Sequence, residues 1–185
     1  MFKRLGAFFL DILEVIVFAV GIFFFIYLLI MRPHKISGQS MMPNFQDGEF
    51  LLTEKVTYYI RNPQRGDVVV FMPPISTTDE FIKRVISLPG EKVMVRAGRV
   101  YINDKLLNEP YIKSDVSTAG GPFLNDNTEF TVPAGEYFVM GDNRPNSSDS
   151  RYWGPITKKV MTGRAWISYW PINSSGVVQN PNYSF

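Results

Sequence analysis

Residues 7–30 read AFFLDILEVIVFAVGIFFFIYLLI. No charged side chain stands between Val15 and Met31. A bilayer core is about 30 Å thick and is crossed by about 20 helical residues. The run is long enough to span one, with Asp11 and Glu14 near one interface. It is apolar all round, unlike the single stripe of a helix packed on a soluble core. A cleaved signal peptide carries an apolar region of about 7–15 residues and then a small-x-small site. Here the run is longer, and Met31-Arg32-Pro33-His34-Lys35 follows it. The segment reads as a retained transmembrane anchor over residues 7–31, behind a short cytoplasmic N-terminus over residues 1–6. Lys3, Arg4 and the α-amino group precede the span, and Arg32 and Lys35 follow it. The balance leans slightly toward an N-terminus in the cytoplasm, with the rest of the chain on the extracytoplasmic face of a cell membrane.

Composition narrows the chemistry. The 185 residues are 45% hydrophobic and 19% charged, which excludes a disordered chain. Nineteen Lys+Arg against seventeen Asp+Glu give a formal +2, too even for a nucleic-acid partner. There is no cysteine, and His34 is the one histidine. Disulfides, thiolate metal sites, thiol nucleophiles and multi-histidine metal sites are all excluded.

Beyond the anchor, residues 32–172 have the size of one domain and read as strands and turns. Strand candidates are residues 49–54, 67–72, 81–87, 92–96, 99–103, 136–140 and 164–170. Leu88-Pro89-Gly90-Glu91 suits a tight turn, and Ala97-Gly98 suits a hairpin. Residues 114–127 read as a long loop and residues 173–185 as a flexible tail. Helical periodicity is scarce outside the anchor. The expected fold is mainly β, a single N-terminal transmembrane helix followed by an antiparallel, barrel-like domain.

Three segments carry candidate chemistry. Ser37-Gly38-Gln39-Ser40-Met41-Met42-Pro43 offers a hydroxyl in a turn whose free backbone N–H groups suit an oxyanion. Taken alone it is an ordinary polar turn. In residues 81–91, Lys83 and Arg84 are adjacent in a strand, so one cation must lie among apolar neighbours. Desolvated lysine can lose its proton; arginine cannot. A Lys83 snorkelling from an edge strand is the plainer reading of that segment by itself. Residues 141–151 are polar or turn-forming throughout, and Asp149 and Arg151 are spaced to pair across a loop.

Together the segments SMMP, KR-x4-PGE and GDNRPNSSDSRYWG, in that order, resemble the type I signal peptidase family of membrane-bound Ser-Lys leader peptidases. The likeness runs from the anchor to about Pro171, in the single-span form typical of Gram-positive bacteria. It implies a serine endopeptidase that removes signal peptides from exported preproteins, cutting after small residues at Ala-x-Ala sites through an acyl-enzyme. Ser40 matches the nucleophile and Lys83 the general base. Ser147 matches the residue that orients the lysine, and Asp149 and Arg151 the structural pair behind the site. Gly141 and Asn146 match positions that shape it. Met41, Phe45, Phe81, Ile82 and, less securely, Ile36 fall where the family lines its substrate pockets. The mechanism implies no metal and no cofactor. Expected partners are secretory preproteins and membrane lipid, with Trp153, Trp166 and Trp170 as candidate lipid contacts. Two positions depart from the pattern. Asn44 stands where Thr is common, and Gly38 where some members carry a serine whose hydroxyl joins the oxyanion hole.

Other readings are an anchored β-domain without catalysis, a self-cleaving Ser-Lys protein, and a serine enzyme that uses His34 as base. The first leaves Ser40, Lys83 and Ser147 as coincidence.

Overall fold

The structure is a computed structural model that describes residues 2–181 and 183. Helix α1 (Phe2–Leu29) includes Gly6–Tyr27, whose mean hydropathy is 2.6 and none of which is buried against the rest of the protein. Among the described residues it is the one helix long and apolar enough to cross a membrane. The side chains of Lys3 and Arg4, on which the orientation reading rests, lie outside the described residues.

The remainder is built on two antiparallel sheets. The larger, eight-stranded sheet contains β1 (Met31–Lys35), β2 (Phe50–Glu54), β3 (Val68–Phe71), β4 (Phe81–Ser87), β9 (Glu136–Met140), β10 (Ile156–Thr157), β11 (Met161–Trp170) and β12 (Gly176–Val177). Its order is β1-β2-β11-β3-β4-β9-β10, with β12 beside β11. The smaller, four-stranded sheet has the order β7-β6-β5-β8, from β5 (Lys92–Arg96), β6 (Arg99–Ile102), β7 (Lys105–Leu106) and β8 (Glu129–Thr131). The turn after β4, closed by Glu91 N–H to Leu88 C=O, carries the chain from one sheet to the other. The residues at Ala97-Gly98 join β5 to β6 as a hairpin.

The run VVVF in β3 does not alternate because both of its faces are covered. Val68 and Val70 pack with Ile36, Met41, Phe45, Leu51 and Ala165. Val69 and Phe71 pack on the other side with Tyr58, Val85, Tyr137, Val139 and Ile156. A third cluster, including Ile86, Val93, Phe138 and Met140, joins the two sheets. Strand β4 lies inside this arrangement, and from Lys83 to Ser87 every residue is buried.

Besides the short strands β7, β8 and β10, four elements escape a reading of sequence pattern. Strand β1 is charged and holds Pro33, yet it is the sheet's outer strand, where a missing N–H is tolerated. Helix α2 (Val56–Ile60) is made of β-prone residues. It forms because Glu54 accepts the Thr57 N–H and Tyr58 enters the core. Helix α3 (Ser150–Trp153) sits inside the polar loop, capped by Asp149. The fourth is the tail. Within residues 173–185, β12 pairs with β11, Val178 N–H donates to Trp166 C=O, and Asn180 Nδ2 donates to Asp67 Oδ1 at 2.6 Å. Val178 packs on the cluster below Ser40, and Tyr183 on the cluster between the sheets. Residues 176–181 and 183 of the expected flexible tail thus make contacts with the body of the protein; residues 182, 184 and 185 lie outside the described residues. Of the tryptophans, Trp153 packs on Phe71 with ring centroids 5.9 Å apart, which makes it a core residue, whereas Trp170 is half-exposed.

Ending the chain at Ser175 removes both tail contacts and the Asn180 bond. Burying one such apolar side chain is worth about 2 kcal/mol. The shortened protein is expected to melt about 5 °C lower with its β circular-dichroism spectrum kept; an unchanged midpoint would show the tail to be energetically idle.

Candidate active site

Ser40 lies on the loop between β1 and β2, and Lys83 in β4. Lys83 Nζ stands 2.8 Å from Ser40 Oγ and donates to the Ile82 carbonyl, also at 2.8 Å. The Phe81 ring lies 5.1 Å away on the same face of the strand. Burial pushes the Lys83 ammonium down from the ordinary 10.5 to about 8, against the opposing pull of Asp149 and then Asp142.

The adjacent cation is treated differently. Arg84 is equally buried but is held by Asp142 through two parallel bonds, Nε to Oδ1 at 2.9 Å and Nη2 to Oδ2 at 2.6 Å. It also donates to the Gly66 carbonyl and lies 4.2 Å over the Tyr111 ring. A strand reading that exposes one cation and buries the other is thus corrected: β4 has neighbours on both faces, so both are buried. One has a carboxylate and the other has a hydroxyl.

The Ser40 loop is clamped from both sides. Gly38 N–H donates to Asp47 Oδ1 at 2.8 Å. Asn143 holds the loop by two carbonyls, its backbone N–H to Ser40 O at 3.0 Å and its side-chain amide to Gln39 O at 3.0 Å. Asn44 Nδ2 donates to Asp142 Oδ2 at 2.9 Å, so the carboxylate that pairs with Arg84 also ties down this loop. Gly38 has φ +95°, where a serine would be strained. The glycine at that position is a backbone requirement, not only a missing hydroxyl. Ser40 N–H has no acceptor among the described residues.

Residues 141–151 form the third wall. Asp149 and Arg151 pair at 2.8 Å, fully buried, and Asp149 Oδ2 also accepts the Gly141 N–H at 3.0 Å. Arg144 is buried too, bonded to Glu109, to Thr118 Oγ1 and to the Gly141 carbonyl. Arg151 reaches the carbonyls of Ala119 and Arg144. These arginines fasten residues 109–124 to the site loop. Ser147 Oγ is buried beside Gly141 and the Ser40 carbonyl; a Cβ at Gly141 would fall 2.2 Å from the first and 2.5 Å from the second. The Ser147 hydroxyl has no hydrogen-bond partner among the described residues, and the expected bond to Lys83 is replaced by the Ile82 carbonyl, one residue away.

A cleft of about 560 Å³ runs past Ser40 and Lys83. Ile36, Phe81 and Ile82 line it as expected, and Asn146 stands at its rim. Met41 and Phe45 do not. They are buried in the cluster under the loop, because the turn points them down into the sheet. Leu51 and Val70 line the cleft instead. Among the described residues, two strand edges that bound the cleft have no strand partner: β1 pairs with β2 on one side alone, and the β4–β9 ladder begins at Arg84 opposite Met140, leaving residues 81–83 unpaired on that side. His34 also lines the cleft, but its Nδ1 lies 3.2 Å from Glu80 Oε2 and it makes no bond to Ser40. Asp142, Asn143, Arg144 and Glu109 were not singled out from the sequence. The adjacent cations of β4 were the signal that a buried carboxylate should be sought.

Two outcomes follow from this geometry. Below about pH 8 the native state must carry a buried ammonium that is freely hydrated when unfolded. The native pKa is lowered, so wild-type stability rises with pH between about 8 and 10.5. Lys83→Met is expected to be more stable than wild type by about 3 kcal/mol at pH 7, at about 1.36 kcal/mol per pH unit. The gap should close by pH 10.5 in paired denaturant titrations; a pH-independent gap would refute a depressed lysine. Gly141→Ala is expected to push Ser147 and the Ser40 carbonyl apart and to lower turnover about 100-fold, a loss that steady-state kinetics on the folded variant would measure.

With this geometry in place, similarity can be weighed. The family model described as "Signal peptidase, peptidase S26" matches residues 9–170. A probable signal peptidase I-2 of Synechocystis sp. is 38% identical over 88% of this chain and 72% of its own length. Signal peptidase I of Leptolyngbya laminosa is 39% identical over 90% of this chain and 80% of its own. Signal peptidase IB of Staphylococcus aureus is 34% identical over 90% of this chain and 89% of its own. The matched span holds the Ser40 loop, β4 and the Asp149 loop, and the chain belongs to the signal peptidase family of serine peptidases, peptidase S26.

Proposed function

We propose that this chain is a membrane-anchored endopeptidase that removes signal peptides from exported preproteins, using Ser40 as nucleophile and Lys83 as general base. The observation that carries the reading is the 2.8 Å contact between Ser40 Oγ and a buried Lys83 whose pKa is brought to about 8. A neutral amine at that distance can accept the hydroxyl proton.

The substrate lies extended in the cleft between the free edges of β1 and β4, adding backbone hydrogen bonds to both. Ser40 Oγ attacks the scissile carbonyl carbon as its proton passes to Lys83 Nζ. The oxyanion is bound by the unoccupied Ser40 N–H, held in place by Asn143 on the loop carbonyls. The intermediate collapses, the C–N bond breaks, and Lys83 gives its proton to the leaving amine. Lys83 then takes a proton from water as its oxygen adds to the acyl carbon, and the ester C–O bond breaks as Lys83 gives that proton to Ser40 Oγ, restoring the hydroxyl and the neutral amine. The Ile82 carbonyl, 2.8 Å from Nζ, orients the amine during these transfers, and the buried, unpartnered Ser147 hydroxyl beside Gly141 is a further acceptor within the same wall. Ile36, Leu51, Val70, Phe81 and Ile82 crowd the cleft, so small side chains before the cut are favoured. Helix α1 anchors the chain with its N-terminus in the cytoplasm. Ser40 then stands near the outer membrane surface, where a cleavage site emerges.

The test is cleavage of a lipid-embedded preprotein with an Ala-x-Ala site. Wild-type kcat/KM should rise tenfold per pH unit below about 8 and then level. Ser40→Ala should be inactive, and Lys83→Arg inactive at every pH, because a guanidinium holds its proton. Cleavage by either variant would remove the assignment.

A further inference from the structure

The cleft changes character along its length. Around Ser40 it is walled by apolar side chains, but its far end is formed by His34 and Lys35 of β1 and by Thr78, Asp79 and Glu80 just before β4. His34 Nδ1 and Glu80 Oε2, 3.2 Å apart, join the two walls there. Glu80 is further fixed by Thr162, whose hydroxyl donates to its other oxygen. Its side chain keeps 30% of its exposure and so faces the cleft.

The charge at this end is negative. Burial lowers the His34 pKa below its usual 6.5 despite Glu80, with Arg32 and Lys55 adding to the effect, so the imidazole is neutral at pH 7. A neutral imidazole facing a carboxylate through Nδ1 donates Nδ1–H to it. It orients Glu80 without cancelling its charge. Asp79 is exposed beside it, accepting from Ser76 Oγ. Lys35 lines the same end, but its ammonium lies over the Phe50 ring at 5.8 Å.

The distances place a substrate residue there. Glu80 precedes Lys83 by three positions, about 10 Å of strand. β1 begins at Met31, directly after the anchor, and reaches His34 before Ser40. The His34 end is therefore the membrane end, and the part of a signal peptide before the cut must pass it. Given cleavage at Ser40 and Lys83 as proposed above, we infer that Glu80, oriented by His34, is an upstream specificity subsite that favours a cationic or hydrogen-bond-donating side chain four or five residues before the scissile bond and rejects an acidic one.

The experiment uses the full chain in zwitterionic phosphatidylcholine vesicles, so that lipid charge plays no part. Three preproteins differ only in Lys, Gln or Glu at the fourth, and separately the fifth, residue before the cut. Wild type is expected to process the Lys substrate about tenfold faster in kcat/KM than the Glu substrate at one of the two positions, with Gln between. Glu80→Gln should remove the spread, and Glu80→Lys should invert it. Equal rates for all three with wild type, or the same spread in Glu80→Gln, would overturn the subsite while leaving the Ser40/Lys83 reading intact. No cleavage of any substrate by wild type would instead overturn that underlying reading.

Discussion

The pairing of Arg84 with Asp142 is the interaction on which the site depends. Two cations stand side by side in a strand with no solvent on either face. An unpaired buried guanidinium would be prohibitive, because it cannot shed its proton. Asp142 meets it with two bonds and at the same time receives Asn44 from the Ser40 loop. One carboxylate thus neutralises β4 and pins the loop opposite. Lys83 is left with a hydroxyl and a carbonyl, neither charged. Burial lowers its proton affinity, and the same arrangement sets its amine 2.8 Å from Ser40 Oγ.

The rest of the site is loop, and loops need bracing to hold a geometry within an ångström. Here the braces are arginines. Among the described residues Arg144 and Arg151 are the largest fully buried side chains, and each ties its own loop to a distant segment, Arg144 to Glu109 and Thr118 Oγ1 and Arg151 to the Ala119 carbonyl. The long stretch from Glu109 to Leu124 has little regular structure, yet it is tied down by these two side chains and by the Arg151 carbonyl, which accepts from Phe123 and Leu124. Gly141 has no side chain because Ser147 and the Ser40 carbonyl already fill that space. The catalytic reading in this family member therefore rests on a polar framework behind the cleft rather than on the apolar core beneath it.

Much of the fold was legible from pattern. Residues 81–87, 92–96 and 136–140 form the strands read from them, and the hairpin and tight turn fall where glycine was placed. Strand β1 was not legible, since charge and proline argue against a strand unless it lies at an edge. Nor was α2, whose local propensity favours strand while Glu54 and the burial of Tyr58 favour helix. The tail carries polar and turn-forming residues, and only its fit against β11, Asp67 and Gly66 accounts for its order.

By itself the sequence determined that an uncharged apolar run precedes a β domain, that thiol chemistry and multi-histidine metal sites lack residues, and that Ser40, Lys83, Asp149 and Arg151 stand in three segments that together resemble one family. The first two follow from hydropathy and residue inventory, which are properties of short stretches; the third follows from the resemblance of the three segments to the signal peptidase family. The tertiary structure decided which cation keeps a counter-charge, that Met41 and Phe45 lie under the loop rather than in the cleft, and that His34 serves Glu80 instead of Ser40. Each of these depends on which atoms from remote strands share a low-dielectric space. Period and propensity carry no information about that until the sheet has curled β1 round to face β4.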